Sequence, residues 1–134
     1  RKRCLESIDC YDETLLRQQD YHLFLRLAAV TDFVYVPQIV AKCRNHESNS
    51  TRSITHTQEW RVIALRKLLS HPDFVSSRDT IRDQIFNLIL GNAYSYRTEL
   101  QFTKAVRAAV EALHERPTSI TAWKCLLASA FRRK

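Results

Sequence analysis

A carboxylate set in the middle of an apolar helix face is a residue type in a place where it can do chemistry. Between Leu16 and Val30, at about 100° per residue, Leu16, Leu23, Phe24, Leu27 and Ala28 all fall within roughly 80° of Asp20. Gln18, Gln19, His22 and Arg26 take the polar side. The expectation is that Asp20 points inward. An inward charge is costly, so it must be partnered, titrate or open onto a cleft. A cleft carboxylate can accept a proton as a general base. An acid near a helix start is also explained by the helix dipole, or by an ion pair with an arginine. Just upstream, Asp9, Asp12 and Glu13 form an acidic turn, which more often caps a helix than binds a metal.

The elements that must hold these residues differ between the two halves of the chain. Residues 1–50 combine a short helix, the acidic turn, the Leu16–Val30 helix and two β-like runs. The runs are Asp32-Phe33-Val34-Tyr35-Val36-Pro37, stopped by its proline, and Ile39-Val40-Ala41-Lys42-Cys43. The polar stretch from Asn45 to Ser53 reads as an exposed loop. Beyond it come four helical periods. Trp60, Ile63, Ala64 and Leu68 mark the first, ended by Pro72, and Ile81, Ile85, Leu88, Ile89, Ala93 and Tyr96 the second. Ala105, Val106, Ala109 and Leu113 mark the third, before Pro117. Ile120, Trp123, Leu127, Ala130 and Phe131 mark the fourth, opening at Thr118 or Ser119. Helical pairs with short connections pack antiparallel. Leu90, Gly91, Tyr94, Ala105, Ala112 and Pro117 give the second and third periods a faint tetratricopeptide character, with two residues inserted.

The 134 residues suit one domain, or one domain with an appendage, and 45% hydrophobic with 26% charged residues argues against wholesale disorder. A single glycine excludes a glycine-rich phosphate loop, and no apolar run approaches the ~18 residues that span a bilayer. The formal charge of +7 invites a nucleic-acid reading, but the lysines and arginines are scattered and cluster only at the two ends. Nucleic acid is therefore not an expected partner. The basic ends would touch acidic lipid headgroups only weakly. Cys4, Cys10, Cys43 and Cys125 show no zinc spacing and read as reduced thiols of a cytoplasmic protein. With Arg at position 1 and no methionine, the chain reads as a piece of something longer or a processed product.

Four motifs within the first 51 residues resemble, in order, the C-terminal part of the catalytic domain of family 2 glycosyltransferases, which have the GT-A fold. They are Tyr11-Asp12-Glu13-Thr14-Leu15, then Gln19-Asp20-Tyr21-His22-Leu23-Phe24-Leu25-Arg26-Leu27-Ala28, then Phe33-Val34-Tyr35-Val36-Pro37, then Cys43-Arg44-Asn45-His46-Glu47-Ser48-Asn49-Ser50. The family usually reads Gly-Gly-Phe-Asp-Glu, Glu-Asp-Tyr/Trp-x-Leu-x-x-Arg, a valine/proline strand, and Tyr-Arg-x-His. This chain has Asp9-Cys10 for the glycine pair, Gln19 for the glutamate and Cys43 for the tyrosine. The resemblance implies that Asp20 is the catalytic base on an acceptor hydroxyl, with Gln19, Asp12 and Glu13 in support. It implies that Arg44 lies near the donor phosphates, and that His46 reaches the donor diphosphate or its metal. Read alone, His46 is a loop histidine in solvent.

The expected fold is thus mainly α with a small β element. Residues 1–53 would be the C-terminal part of a GT-A α/β domain, and residues 54–134 an antiparallel helical bundle. The nucleotide-binding half of such an enzyme, with its Asp-x-Asp motif, is not in this sequence. The resemblance therefore implies an enzyme, inverting by expectation, of which this stretch alone is inactive. Its partners would be a nucleotide-sugar donor and a glycan or lipid-linked acceptor, its cofactor in the full-length protein a divalent cation, Mg²⁺ or Mn²⁺, and none in this stretch. Peripheral membrane contact and homodimerisation through an exposed face are further expectations. The competing reading is a helical protein-interaction module without catalysis, which requires Tyr94, Tyr96 or Trp123 exposed on a concave surface.

Overall fold

The computed structural model describes residues 2–42 and 54–131, and every regular element among them is helical. A short α1 (Lys2–Glu6) leads through turns to α2 (Gln19–Val30). The second part carries α3 (Ile54–Leu69), a 3-10 turn (Pro72–Ser77), α4 (Arg78–Thr98), α5 (Phe102–Glu115) and α6 (Ile120–Ala130). These helices fall where periodicity and the prolines place them. Pro72, which has no N–H to offer a preceding helix, opens the 3-10 turn after α3. Ser119 caps α6, its hydroxyl accepting from the Ala122 N–H at 3.3 Å.

The central helix is α4, which packs against α3, α5, α6 and the 3-10 turn. The core joins Val62, Leu65 and Leu68 of α3, Ile85, Phe86, Ile89 and Ala93 of α4, and Ala105, Ala109 and Ala112 of α5 to Ala122 and Cys125 of α6. The alanines let α5 approach α4 and α6 closely. Arg66 ties α3 to α5 by ion pairs to Glu111 (3.0 Å) and Glu115 (2.7 Å). α2 packs on α3, and Tyr21 and Leu25 reach the edge of the core. Cys4, Cys10 and Cys125 are free thiols. No helix among the described residues is long and apolar enough to cross a membrane.

The expected β element does not form, and this corrects the fold reading. Residues 32–42 have no regular structure, and the backbone bends after Pro37, where the Gln38 N–H donates to the Val36 carbonyl at 2.9 Å. Strand propensity is realised only in a ladder, and no described segment offers one. Val34, Tyr35, Ile39 and Val40 are therefore all at least 80% exposed. The second run also extends to Cys43, which lies outside the described residues. The described chain is an all-helical assembly and not a piece of a GT-A α/β domain.

Among the described residues, left-handed backbone occurs at Asp9, Cys10 and Gln18 ahead of α2 and at Leu100 between α4 and α5. Leu100 adopts φ 59°, the left-handed conformation glycine normally supplies at a helix end, and the Gln101 N–H closes the turn onto the Tyr96 carbonyl at 2.8 Å. The chain's one glycine, Gly91, instead lies inside α4, where an added Cβ would meet only the Gln58 Oε1 at 4.0 Å. Leu100→Gly and Gly91→Ala are each expected to raise stability by about 0.5–1 kcal/mol in chemical denaturation. A loss of stability in both would show that these positions are not the strained ones.

Candidate functional site

The orientation of α2 decides what the acidic residues can do. The helix opens at Gln19 and not at Leu16, because Gln18 takes a left-handed conformation. His22 and Leu23 are buried, with Gln19 and Arg26 partly so, which makes a stripe of helical spacing facing inward. Asp20 lies on the other side and is exposed, together with Phe24 (54%); Leu15, buried, and Leu16, 76% exposed, precede the helix. The expectation that Asp20 points inward is therefore overturned. Its Oδ1 accepts from the Tyr21 N–H at 2.8 Å in the first turn, where the Gln18 N-cap supplies no side-chain bond. The helix start explains how Asp20 is held. The expected apolar arc around it does not hold together: Leu23 is buried and Leu16 lies before the helix, while Phe24 stays exposed and Phe33 from the extended segment packs edge-to-face on it at 6.3 Å between ring centres.

The supporting acids go elsewhere. Asp12 organises its own turn, accepting from the Thr14 N–H at 3.0 Å and the Thr14 hydroxyl at 2.5 Å. Lys67 of α3 donates to its Oδ2 at 2.6 Å and also bonds to the Thr14 hydroxyl. These contacts, the lysine's first, lower the Asp12 pKa from 3.8 to about 2. Gln19 turns back, its amide donating to the Leu15 carbonyl at 2.5 Å. Asp12 and Glu13 border a cleft of about 530 Å³ with His22, Arg26, Lys67 and His71. Arg26 is anchored there, donating to the Cys10 carbonyl at 3.2 Å.

His22 is the site residue that the pattern misplaces on the polar face. It is 4% exposed, and its Nδ1 is buried with no hydrogen-bond partner among the described residues. Desolvation first, then the positive charge of Arg26, pushes its pKa below the ordinary value of 6.5. The spacing 19, 22, 23, 26 is the signal that could have found it. The structure thus brings Asp12, Glu13 and His22 to one cleft and leaves Asp20 on the adjoining apolar face. Arg44 and His46 lie outside the described residues.

Among the described residues no group of three or more His, Cys, Asp or Glu side chains could hold a metal ion. The expected divalent cation thus has no ligand set in this part of the chain. No protein-family model matches the chain, and no curated protein or solved structure does either.

Two acid transitions follow from the cleft. A histidine with a lowered folded pKa favours the fold while neutral, so stability falls as pH drops through 6.5. The depressed Asp12 stabilises above 3.8, and that contribution is lost as pH falls toward about 2. Thermal unfolding across pH is expected to show His22→Phe removing the first step and Asp12→Asn the second. Curves that superimpose on the parent would refute the assignment.

Proposed function

We propose that this chain supplies the acceptor side of a sugar-transferring enzyme that uses a nucleotide-sugar donor, with Asp20 as the base. The observation that carries the reading is the exposed Asp20 one helical turn before the exposed Phe24, against which Phe33 packs. A soluble protein leaves such a face open where something else completes it. Covering it with a nucleotide-sugar-binding part would turn an exposed acid into a desolvated cleft carboxylate. The likeness of residues 11–15 and 19–28 to two transferase motifs supports the same reading.

The step balances simply. The acceptor hydroxyl gives its proton to the Asp20 carboxylate as its oxygen bonds to the anomeric carbon. The bond from that carbon to the donor phosphate breaks, and the nucleoside diphosphate leaves with the electron pair. Asp20 is held for this by the Tyr21 N–H, which fixes one carboxylate oxygen and leaves the other free of that bond. The donor, and any cation that accompanies it, is bound by residues beyond those described.

A helical interaction module is the second reading, favoured by Trp123, which is 48% exposed beside an apolar groove of about 280 Å³ between α5 and α6. Tyr94 is also exposed, whereas Tyr96 is buried.

One substitution separates the two. In the full-length enzyme Asp20→Asn is expected to lower sugar transfer by about 10²-fold or more while donor binding is retained. Asparagine can still accept from the Tyr21 N–H, so the fold is preserved. Transfer within tenfold of the parent would remove Asp20 as base and favour the interaction module.

A further inference from the structure

A helix that is apolar on both sides belongs in an interior, yet α6 is covered on one side only. Ala122, Cys125 and Ser129 face the core. At about 100° per residue, Ile120, Trp123, Leu127 and Phe131 fall within an arc of roughly 80° on the opposite side. They are 69%, 48%, 51% and 73% exposed. Phe131 caps the helix, its N–H still bonded to the Leu127 carbonyl at 2.9 Å. The Trp123 indole is fixed in place, donating to the Pro117 carbonyl at 2.9 Å. Across the groove beside it, Val110 of α5 is also exposed.

The charge on this side has one sign. α6 contains no acidic residue, and its exposed Lys124 borders the apolar arc. The sequence continues Arg132-Arg133-Lys134. On α5 the exposed charges are Lys104 and Arg107, whereas Glu111 and Glu115 are partly buried and paired with Arg66.

We propose that the outer side of α6 docks on a bilayer that contains anionic phospholipids, with Ile120, Trp123, Leu127 and Phe131 entering the boundary between headgroups and acyl chains. Apolar side chains supply the partitioning and the lysine meets lipid phosphates, the division of labour of an interfacial helix. Tryptophan suits that boundary because its ring is apolar with one polar edge. Basic residues alone bind such a surface weakly, and the apolar arc is the anchor they need. Eleven residues at about 1.5 Å each fall well short of the roughly 30 Å hydrocarbon core, so α6 lies along the surface.

Two other occupants fit less well. Pairing α6 with its own copy would set two acid-free helices together, with no carboxylate to meet either Lys124. A peptide seated in the groove of about 280 Å³ would cover Trp123 but leave Ile120, Leu127 and Phe131 wet, because they do not line it. The docking stands independently of the transfer reaction; that it carries the chain to a lipid-linked acceptor rests on the function proposed above.

The test is co-sedimentation of the 134-residue chain with vesicles of phosphatidylcholine, alone or mixed equally with phosphatidylglycerol. Binding is expected on the anionic vesicles, weakened at least about tenfold by Leu127→Asp and about fivefold by Lys124→Ala. Both residues are exposed, and thermal unfolding close to the parent's checks that each variant folds. On a Trp60→Phe background Trp123 is the one tryptophan left. Its emission is expected to shift to the blue and to be quenched by brominated acyl chains. No binding to anionic vesicles, undiminished binding of Leu127→Asp, or emission that brominated lipid leaves unquenched would each overturn the proposal. In the first case, self-association abolished by Leu127→Asp would assign the face to a second copy, and a monomer would leave it to another protein. Vesicle binding with an Asp20→Asn variant that still transfers would uphold the docking and remove the base. Loss of transfer in that variant with no vesicle binding would do the reverse.

Discussion

The side of α2 that packs inward is the constraint on which the rest depends. A twelve-residue helix with apolar residues over much of its circumference can bury only one side against α3. The side chosen carries His22 and Leu23, which places a histidine in the interior and an aspartate outside. From that choice follow the lowered pKa of His22, the ionic cleft with Lys67 and Asp12, and the exposure of Asp20 and Phe24. Rotating α2 by half a turn would bury Asp20 without a partner and expose Leu23, an exchange that costs several kcal/mol.

On one side of α2, charged groups are paired and hold the acidic turn to the end of α3. On the other, the Arg61 guanidinium of α3 lies over the Tyr21 ring. The helices behind both are rigid, because α3 and α4 share the core residues Leu65, Ile85 and Ile89.

The helical part was legible in the sequence because its signals are local. Pro72, Pro117 and Ser119 mark boundaries through the immediate backbone, and the periods of α4 and α5 name most of their buried residues. The faces of α3 and α6 are less clear: Ile63 is exposed while Val62 and Leu65 are buried, and Ile120, Trp123, Leu127, Ala130 and Phe131 are all exposed while Ala122, Cys125 and Ser129 face inward. What could not be read depends on distant partners. Lys67 meets Asp12 across fifty-five positions. The run around Tyr35 has strand composition, yet a strand exists only beside another. The arc centred on Asp20 does not survive: Leu23 is buried, Leu16 precedes the helix, and Phe24 stays exposed. A pattern shows that a face is apolar; it does not show whether the covering surface lies within the same stretch of chain.

That face is the most direct test of the account. On a Cys10→Ser background, Phe24→Cys and Phe33→Cys report its exposure through their rates of reaction with a soluble thiol reagent. Rapid modification of the 134-residue chain, and strong protection once the proposed nucleotide-sugar-binding part is joined to it, is the expected result. Equal rates in the two would show that nothing covers Asp20, and would contradict the proposal that its face forms half of a catalytic cleft.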